Sequence, residues 1–165
     1  MNQYHIHVLA GDGIGVEVTA CAMAVLSRAA AKHGFGVDYV EHDWGSDYFF
    51  RNGRMMPVNA LEVLRASDAV LLGAVGHPDI PDHVTLHGML LPIRRGFDQY
   101  VNVRPAVLYA GVESPLKGFP PKDIDMVVIR ENTEDLYAGL EHVVVPGVVE
   151  SLKIITEKAS TRIAK

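Results

Sequence analysis

Arginines are the residues of this sequence whose type and spacing point most directly to chemistry. Arg94, Arg95 and Arg104 flank a stretch punctuated by glycine and proline, and Arg130 ends an apolar run typical of a strand. Guanidinium groups that converge on one pocket suit a substrate with two or three carboxylates, because each can form bidentate charged hydrogen bonds. An arginine at the carboxyl end of a strand in an α/β sheet faces the ligand crevice. Spacing alone does not establish convergence, and a solvated surface arginine is the alternative for each of them.

Tyr137 is a candidate proton donor. It follows Arg130 by seven residues. Positive charge near a tyrosine stabilises its phenolate, which allows the hydroxyl to give up a proton during a reaction. The alternative is a half-buried aromatic side chain with a packing role, and the residues taken alone favour it.

A glycine-rich turn, Gly11-Asp12-Gly13-Ile14-Gly15, connects the first predicted strand to the first predicted helix. Backbone N–H groups at the start of a helix can bind an anion. The turn departs from the Gly-x-Gly-x-x-Gly fingerprint of dinucleotide-binding Rossmann proteins, because Val16 stands at the last position. A standard Rossmann fold is therefore disfavoured, and a tight strand-to-helix connection is the alternative role of the turn.

The histidines and the cysteine give no support to a metal site. His83 and His87 are four residues apart, but Val84 stands where a zinc-protease motif requires Glu. The single cysteine, Cys21, belongs to no metal-binding cluster and has no partner for an internal disulfide. We expect surface or supporting roles for the histidines and a cytoplasmic location as the default.

Composition excludes several classes of function. Apolar residues make up 48% of the 165 residues, which argues against disorder. Fifteen Lys and Arg against twenty Asp and Glu give a net charge of -5 with no basic run, so a nucleic-acid partner is not expected. No apolar run approaches the ~18–20 residues that cross a bilayer, so no membrane partner is expected either.

Alternating apolar patterns predict an α/β fold with a mostly parallel sheet and helices on its faces. Strands are predicted over 4–9, 37–40 and 69–73, the last as a strand buried on both faces. Helices are predicted over 14–32, 61–66 and 86–97, and Gly34 ends the first. At helical spacing, one apolar face of the first helix comprises Ile14, Val18, Cys21, Ala22, Val25, Leu26 and Ala29.

The pattern changes near residues 98–104. Extended segments are predicted over 100–108, 125–130, 142–145 and 148–156, as parts of a separate and partly antiparallel unit. A change of pattern, rather than a linker, is the evidence for a boundary there.

The last predicted helix begins after Thr156, which can cap it, and Glu157 suits its first turn. The sequence stops about two turns later without the Gly, Asn or Pro that commonly ends a helix. A helix this short is marginal without a packed partner. We therefore expect the polypeptide to continue past Lys165, with a frayed C-terminus as the alternative.

Four stretches carry the motifs of one enzyme family, in the same order along the chain. They are Gly11–Glu17, Gly73–Pro78, Arg94 to Pro105, and Val128–Glu134. Together they resemble the β-decarboxylating 2-hydroxyacid dehydrogenases, which include the isocitrate, isopropylmalate, homoisocitrate, tartrate and D-malate dehydrogenases. Each motif is weak by itself, the four in register are highly specific, and the resemblance covers essentially the whole chain.

The resemblance implies an isocitrate/isopropylmalate dehydrogenase-like α/β fold, in which a parallel-rich sheet flanked by helices is joined to a smaller α/β domain. Residues 1–99 would form the first part of the large cofactor-side domain. Residues 100–165 would form the first part of the small substrate and dimerisation domain. The segment over about 138–155 resembles the arm that contacts a second subunit, so a homodimer is implied.

The resemblance also implies residue roles. Arg94, Arg104 and Arg130 would bind the carboxylates of the substrate, and Tyr137 would help protonate the enolate after carbon dioxide leaves. The residues that would line the nicotinamide side of the cofactor cleft are Gly73, Ala74, Val75, Gly76 and Ile14.

The cofactors implied are NAD, with NADP left open, and Mg2+ or Mn2+; a monovalent cation such as K+ is a further option. In the family, the metal-binding aspartates, the catalytic lysine and the adenine-binding loop lie beyond the point where this sequence stops. No metal ligand is therefore predicted within it.

The variable part of the substrate would contact His87, Leu90 and Leu91, within residues 83–95. This segment and residues 97–102 look most like tartrate and D-malate dehydrogenases. They lack the Ser-x-Asn motif with which isocitrate enzymes hold an extra carboxylate, and His87 stands where isopropylmalate enzymes usually carry Glu. The expected activity is NAD- and metal-dependent oxidative decarboxylation of a malate-type 2-hydroxy acid.

Other substrates and roles stay open. Residues from Asp135 onward look more like NAD-dependent isocitrate dehydrogenases, so isocitrate or 3-isopropylmalate is an alternative substrate. A non-enzymatic alternative is a catalytically incomplete fragment that only binds dicarboxylates.

Overall fold

In a computed structural model, which describes residues 2–165, the chain divides into two compact units. The first ends at Ile93, and the second comprises Arg94–Lys165. The division falls a few residues before the change of pattern in the sequence. The assignment of residues 1–99 and 100–165 to the two domains of the family stays a prediction.

The first unit is built on a three-stranded sheet in the order β2-β1-β3. The strands are β1 (Gln3–Gly11), β2 (Gly36–His42) and β3 (Ala69–Ala74), and both outer strands run parallel to β1. Helix α1 (Ile14–His33) connects β1 to β2. The predicted α/β class, with a parallel sheet flanked by helices, is confirmed.

Two glycines set the distance between α1 and the sheet. A Cβ atom on Gly15 would lie 2.3 Å from the carbonyl oxygen of Ala10, and one on Gly73 would lie 2.5 Å from Oγ1 of Thr19. No side chain fits at either position, so the backbone of α1 lies directly against β1 and β3. The tight connection between the first strand and the first helix is therefore real.

The face of α1 that packs on the sheet differs from the predicted one. Ile14, Val18 and Val25 of the predicted face are 62%, 48% and 69% exposed. The buried residues of the helix are Gly15, Thr19 and Ala30. Apolar periodicity selects the most hydrophobic face, whereas the close approach of helix and sheet admits only small residues.

By length and composition alone, α1 is long and apolar enough to cross a membrane, contrary to the expectation that no apolar run is. A helix that covers a sheet meets the same criterion. The contacts of Gly15 and Thr19 with β3 place α1 in such a position here.

Short helices complete the first unit and lead out of it. They are α2 (Ser46–Asn52), α3 (Ala60–Arg65), α4 (Asp82–Thr85) and α5 (Leu91–Gly96), with a π-helical segment over Leu86–Leu90. The helix predicted over 86–97 therefore begins earlier, at Asp82, and contains a π-helical segment. The sequence pattern does not predict α2.

The second unit consists of two antiparallel strand pairs and a terminal helix. The first pair is β4 (Val101–Val107) with β5 (Asp125–Glu131), and the second is β6 (Asp135–Val145) with β7 (Val148–Ile154). A short 3-10 helix (Pro121–Asp123) precedes β5, and α6 (Glu157–Ala164) follows β7. The antiparallel character is confirmed, but β6 begins seven residues before the predicted segment.

The cap of α6 is the predicted one. Oγ1 of Thr156 accepts a hydrogen bond from the backbone N–H of Ala159 at 3.1 Å. This bond satisfies one of the free N–H groups of the first helical turn.

The strand predicted to be buried on both faces, and a second strand with a continuous apolar run, are both partly exposed. β3 lies at an edge of its sheet, where Leu72 is 38% exposed. In β5, Val127 and Ile129 are 58% and 51% exposed. A continuous apolar run fits a buried strand, but it does not reveal which neighbours cover that strand.

Candidate active site

The predicted site residues are divided between the two units. The second unit carries the arginines Arg94, Arg104 and Arg130 together with Tyr137. The first unit carries the predicted cofactor-side residues and those predicted to contact the variable part of the substrate, which are Ile14, Gly73, Ala74, Val75, Gly76, His87, Leu90 and Leu91.

The pairing of β4 with β5 brings two of the arginines to one face. Asn102 pairs with Arg130, and Arg104 pairs with Val128. Paired residues of antiparallel strands share a face, as do alternate residues of one strand. Arg104 and Arg130 therefore lie on the same side of this strand pair, where Nε of Arg104 donates to Oδ1 of Asn102 at 2.9 Å.

Arg130 and Tyr137 are in direct contact. The guanidinium carbon of Arg130 lies 4.8 Å from the centroid of the Tyr137 ring, in a cation–π arrangement. Nη2 of Arg95 donates to the carbonyl oxygen of Tyr137. The N–H of Tyr137 donates to the carbonyl of Glu134 at 3.2 Å. Both the ring and the backbone of this tyrosine are thus held.

Glu131 organises the loop between Arg130 and Tyr137. Its carboxylate accepts the hydroxyl of Thr133 at 2.6 Å and the N–H groups of Thr133 and Glu134 at 2.9 to 3.0 Å. Burial by itself raises the pKa of Glu131, but the hydrogen bonds from Thr133 and the backbone outweigh it and hold the pKa below its ordinary value. The carboxylate therefore stays ionised and keeps the loop tightly turned.

Asn132 joins this loop to the turn that precedes β4. Its N–H donates to the carbonyl of Tyr100 at 3.0 Å, and its Nδ2 donates to the carbonyl of Gln99 at 3.2 Å. The N–H of Gln99 donates in turn to the carbonyl of Arg94 at 2.8 Å. Hydrogen bonds thus link the backbone of Arg94, in α5, to the residue two positions after Arg130.

Asp12 has the same organising role in the first unit, and sequence reasoning missed it. Its carboxylate accepts the N–H of Gly76 at 2.8 Å, together with the N–H and the hydroxyl of Ser46 at 2.8 and 2.6 Å. Its own N–H donates to the carbonyl of Ala74 at 2.7 Å. One side chain therefore connects the loops after β1 and β3 and the start of α2. The position of Asp12 inside the glycine turn was the sequence feature that could have indicated this role.

The loop that contains Gly76 lies where open parallel sheets bind their ligands. In an open parallel sheet, ligands bind outside the carboxyl ends of the strands, and the loops after β1 and β3 lie there. A Cβ atom on Gly76 would meet nothing within 4 Å, so the backbone is open to an approaching group. Ile14 is 62% exposed at the start of α1 and can offer an apolar contact.

The three residues predicted to contact the variable part of the substrate differ in exposure. His87 is exposed, Leu90 is half-buried and Leu91 is only 5% exposed. Met89 and Ile93 are also buried, so Leu91 belongs to the core of the first unit as the structure has it. Its contact with a substrate stays a prediction.

A pair of histidines forms a polar cluster in the first unit. Nε2 of His42 lies 2.8 Å from Nδ1 of His7, and the ring of His42 stacks on Trp44 with centroids 4.1 Å apart. Burial and then the neighbouring His7 lower the pKa of His42, against the opposing effect of Asp43. A single hydrogen bond between two imidazoles requires one to accept, so the folded pair disfavours double protonation.

Metal ligation finds no support in the described part of the chain. Among residues 2–165, no group of three or more His, Cys, Asp or Glu side chains is arranged to hold a metal ion. The expectation that the metal-binding aspartates lie outside this sequence stays a prediction.

Comparisons with known proteins define the class. The family described as isocitrate/isopropylmalate dehydrogenase matches over residues 5–165. The chain belongs to the isocitrate/isopropylmalate dehydrogenase family.

Individual relatives agree with this class. A probable tartrate dehydrogenase/decarboxylase of Agrobacterium vitis is 48% identical over 140 residues, which cover 84% of this chain and 39% of the relative. The decarboxylating D-malate dehydrogenase of Escherichia coli is 45% identical, over 98% of this chain and 45% of its own length. The crystal structure of isocitrate dehydrogenase from Methylococcus capsulatus superposes with a TM-score of 0.78 at 29% identity, over 99% of this chain and 45% of that one. The chain thus spans less than half the length of these relatives.

Proposed function

We propose that this chain provides the substrate-binding arginines, the proton-donating tyrosine and part of the cofactor site of an NAD-dependent, divalent-metal-dependent dehydrogenase. The enzyme oxidises and decarboxylates a malate-type 2-hydroxy acid, with tartrate and D-malate as the first candidates. The observation that carries the proposal is the contact of Tyr137, at the start of β6, with Arg130, which lies on the strand pair that also presents Arg104. Membership of the family and the relatives that act on tartrate and D-malate support it.

Each residue has a definite task in this proposal. The guanidinium groups of Arg104 and Arg130 bind substrate carboxylates through paired charged hydrogen bonds, which fixes the orientation of the carbon atoms between them. Arg94 joins them as the third cationic group. Tyr137, held by Arg95 and Arg130, donates a proton to the carbon that has lost carbon dioxide.

The cofactor side is supplied by Ile14 and by residues 73–76, which comprise the end of β3 and the start of the loop after it. Bound NAD serves as the acceptor of the hydride that leaves the carbinol carbon of the substrate. Asp12 holds the Gly76 N–H and thereby the shape of this loop. We propose dependence on Mg2+ or Mn2+ only because the chain belongs to this family, since residues 2–165 contain no set of metal ligands.

A substrate panel tests the proposal. The purified polypeptide that contains this chain is assayed for NAD reduction and carbon dioxide release with D-malate, tartrate, 3-isopropylmalate and isocitrate, with Mg2+ or Mn2+ present and after chelation. We expect metal-dependent turnover, fastest with D-malate or tartrate. A preference for isocitrate or 3-isopropylmalate would support the alternative substrates. No turnover with any of the four would refute the proposal.

The 165-residue chain by itself has a second candidate function, which is dicarboxylate binding without turnover. It is favoured by the lack of a metal-ligand group among residues 2–165 alongside the paired arginines of the second unit. Calorimetric titration of the 165-residue chain with D-malate, followed by the same turnover assay, separates binding from catalysis.

We also propose that two copies associate through the β6–β7 hairpin, which covers the predicted arm. Its paired residues Val143 and Val149 are 68% and 64% exposed. Exposed apolar residues on a long hairpin are typical of an interaction surface. A cytoplasmic location accompanies this proposal.

A further inference from the structure

We propose that Arg162, which lies in α6 and was not singled out by the sequence, is a positioning residue for the substrate site. It holds the turn before β4 against the loop between β5 and β6, and these two segments adjoin Arg94, Arg130 and Tyr137. The inference rests on the proposed function for its catalytic consequence, but its structural part can be tested independently.

Arg162 makes three kinds of contact at once. Its Nη1 lies 3.0 and 2.9 Å from the two carboxylate oxygens of Asp98. Its Nη2 donates to Oγ1 of Thr133 at 2.8 Å. The guanidinium carbon lies 4.2 Å from the centroid of the Tyr100 ring. The side chain of Arg162 is only 17% exposed, whereas that of its partner Asp98 is 63% exposed.

These contacts join segments that are far apart in the sequence. Asp98 and Tyr100 belong to the turn before β4, and Thr133 belongs to the loop before β6. Asp98 has a φ of 47°, in the left-handed region that is unfavourable for a residue with a side chain. The ion pair with Arg162 stabilises the turn in which this strained residue lies.

The hydroxyl of Thr133 extends the connection toward the site. It accepts a hydrogen bond from Arg162 and donates one to Oε1 of Glu131 at 2.6 Å. Glu131 directly follows Arg130, and the loop that it organises ends at Glu134, three residues before Tyr137. A shift of the Arg162 guanidinium would therefore be transmitted to Arg130 and Tyr137 through two hydrogen bonds.

A guanidinium is required for this combination. Its planar arrangement of N–H donors can bind Asp98 with one nitrogen and Thr133 with another while its face covers Tyr100. The ammonium group of a lysine is a compact charge that can bind Asp98 but cannot reproduce the fork and the stacked face together. We therefore expect Arg162→Lys to keep the positive charge beside Asp98 but to lose the simultaneous contacts with Thr133 and the Tyr100 ring.

The experiment compares Arg162→Ala and Arg162→Lys with the control Lys158→Ala, which removes an exposed positive charge from the same helix. Amide hydrogen exchange of residues 130–137 is measured by mass spectrometry, with and without guanidinium ion. We expect faster exchange in Arg162→Ala, partial protection in Arg162→Lys, and restoration of protection in Arg162→Ala by guanidinium. Lys158→Ala should exchange like the parent protein.

Kinetics of the same variants test the catalytic consequence. We expect kcat/KM for the dicarboxylate to fall about tenfold or more in Arg162→Ala, since a displacement of about 1 Å can cost on the order of 100-fold. The KM for NAD should be unchanged, and guanidinium should restore part of the activity. A general loss of stability would instead lower the active fraction and leave both KM values unaltered.

The outcomes separate the inference from the function on which it rests. Unchanged exchange over residues 130–137 in Arg162→Ala would overturn the positioning role, whatever the enzyme does. Faster exchange with an unchanged KM and kcat for the dicarboxylate would overturn its link to the substrate site. Absence of turnover in the parent protein would refute the proposed function, while the exchange measurement would still decide the structural role of Arg162.

Discussion

At the scale of single residues, Arg130 and Tyr137 form a cation–π pair in the candidate site. The guanidinium lies over the ring, so the aromatic face and the hydroxyl of Tyr137 have separable roles. The face contributes to binding Arg130, whereas only the hydroxyl can donate a proton.

Tyr137→Phe separates these two roles. Phenylalanine keeps the ring beneath Arg130 and removes the hydroxyl, so substrate binding should persist. We expect kcat to fall by about 100-fold or more, the usual effect of losing a positioned acid, with a small change in the KM of the dicarboxylate. Steady-state kinetics measure both. Tyr109→Phe, at a residue that is 70% exposed, is the control; equal kcat values for the two variants would contradict the role of Tyr137.

Asp12→Asn tests the corresponding position on the cofactor side. The Asp12 carboxylate accepts three hydrogen bonds, from Gly76 and Ser46. An amide of the same shape directs an NH2 group at one or more of these donors and leaves them unpaired, at a cost of about 1–3 kcal/mol. We expect a lower thermal midpoint and a raised KM for NAD, with the KM for the dicarboxylate less affected. Asp47→Asn, at an exposed position nearby, should alter neither value.

At the scale of secondary-structure elements, the pairing of β1 with β2 contains a titratable contact. His7 and His42 lie on these two strands, and their hydrogen bond survives only while one imidazole accepts. Burial and His7 lower the pKa of His42 in the folded protein. The folded protein therefore binds a proton at His42 less readily than the unfolded chain does.

Stability should therefore fall as the pH falls. The folded-state pKa of His42 is below the unfolded value of about 6.5. The contribution of neutral His42 to the free energy of unfolding is therefore complete above about pH 6.5 and is lost as the pH drops through the folded-state pKa. We expect a lower urea midpoint at pH 5 than at pH 8. Trp44, the only tryptophan, stacks on His42 and reports both unfolding and the protonation of His42 by fluorescence. In His42→Gln the difference between the urea midpoints at pH 5 and pH 8 should shrink. An undiminished difference would mean that other groups cause the pH dependence.

Elements also show why sequence patterns succeed or fail. β1 and α1 are predicted because apolar residues repeat at the strand and helix periods and glycines punctuate them. α2 is missed because Ser46–Asn52 is short, and its first residue is held from outside by Asp12, which is 34 positions away. The first residue of β6, Asp135, has a φ of 62°, which disguises the start of that strand.

At the scale of the whole molecule, exposed apolar surface is the main feature that the chain does not bury itself. The β6–β7 hairpin is exposed over most of its length, and its paired residues Val143 and Val149 share one face. Burial of such a face against a second copy would remove apolar surface from water at about 25 cal/mol per Å².

Val149→Lys tests this association. A charge on this exposed apolar face must be desolvated on assembly, so we expect a dimer to dissociate into single chains at low micromolar concentration. Light scattering after size-exclusion chromatography measures the mass. Val58→Lys, at a position 86% exposed in the first unit, controls for the added charge. A dimer of equal strength in both variants would place the interface elsewhere.

The sequence by itself determined β1, α1, the glycine connection and the Thr156 cap, because these depend on residues close together in the chain. The candidate arginines and Tyr137 were selected by family motifs that occur in the same order along the chain. The tertiary structure alone decided which face of α1 is buried and which strand lies at a sheet edge. It also revealed the roles of Asp12 and Arg162, each of which bonds a residue 64 positions away, Gly76 and Asp98 respectively. No periodicity or motif encodes such a pair, since a hydrogen bond between distant segments exists only once packing has brought their backbones together.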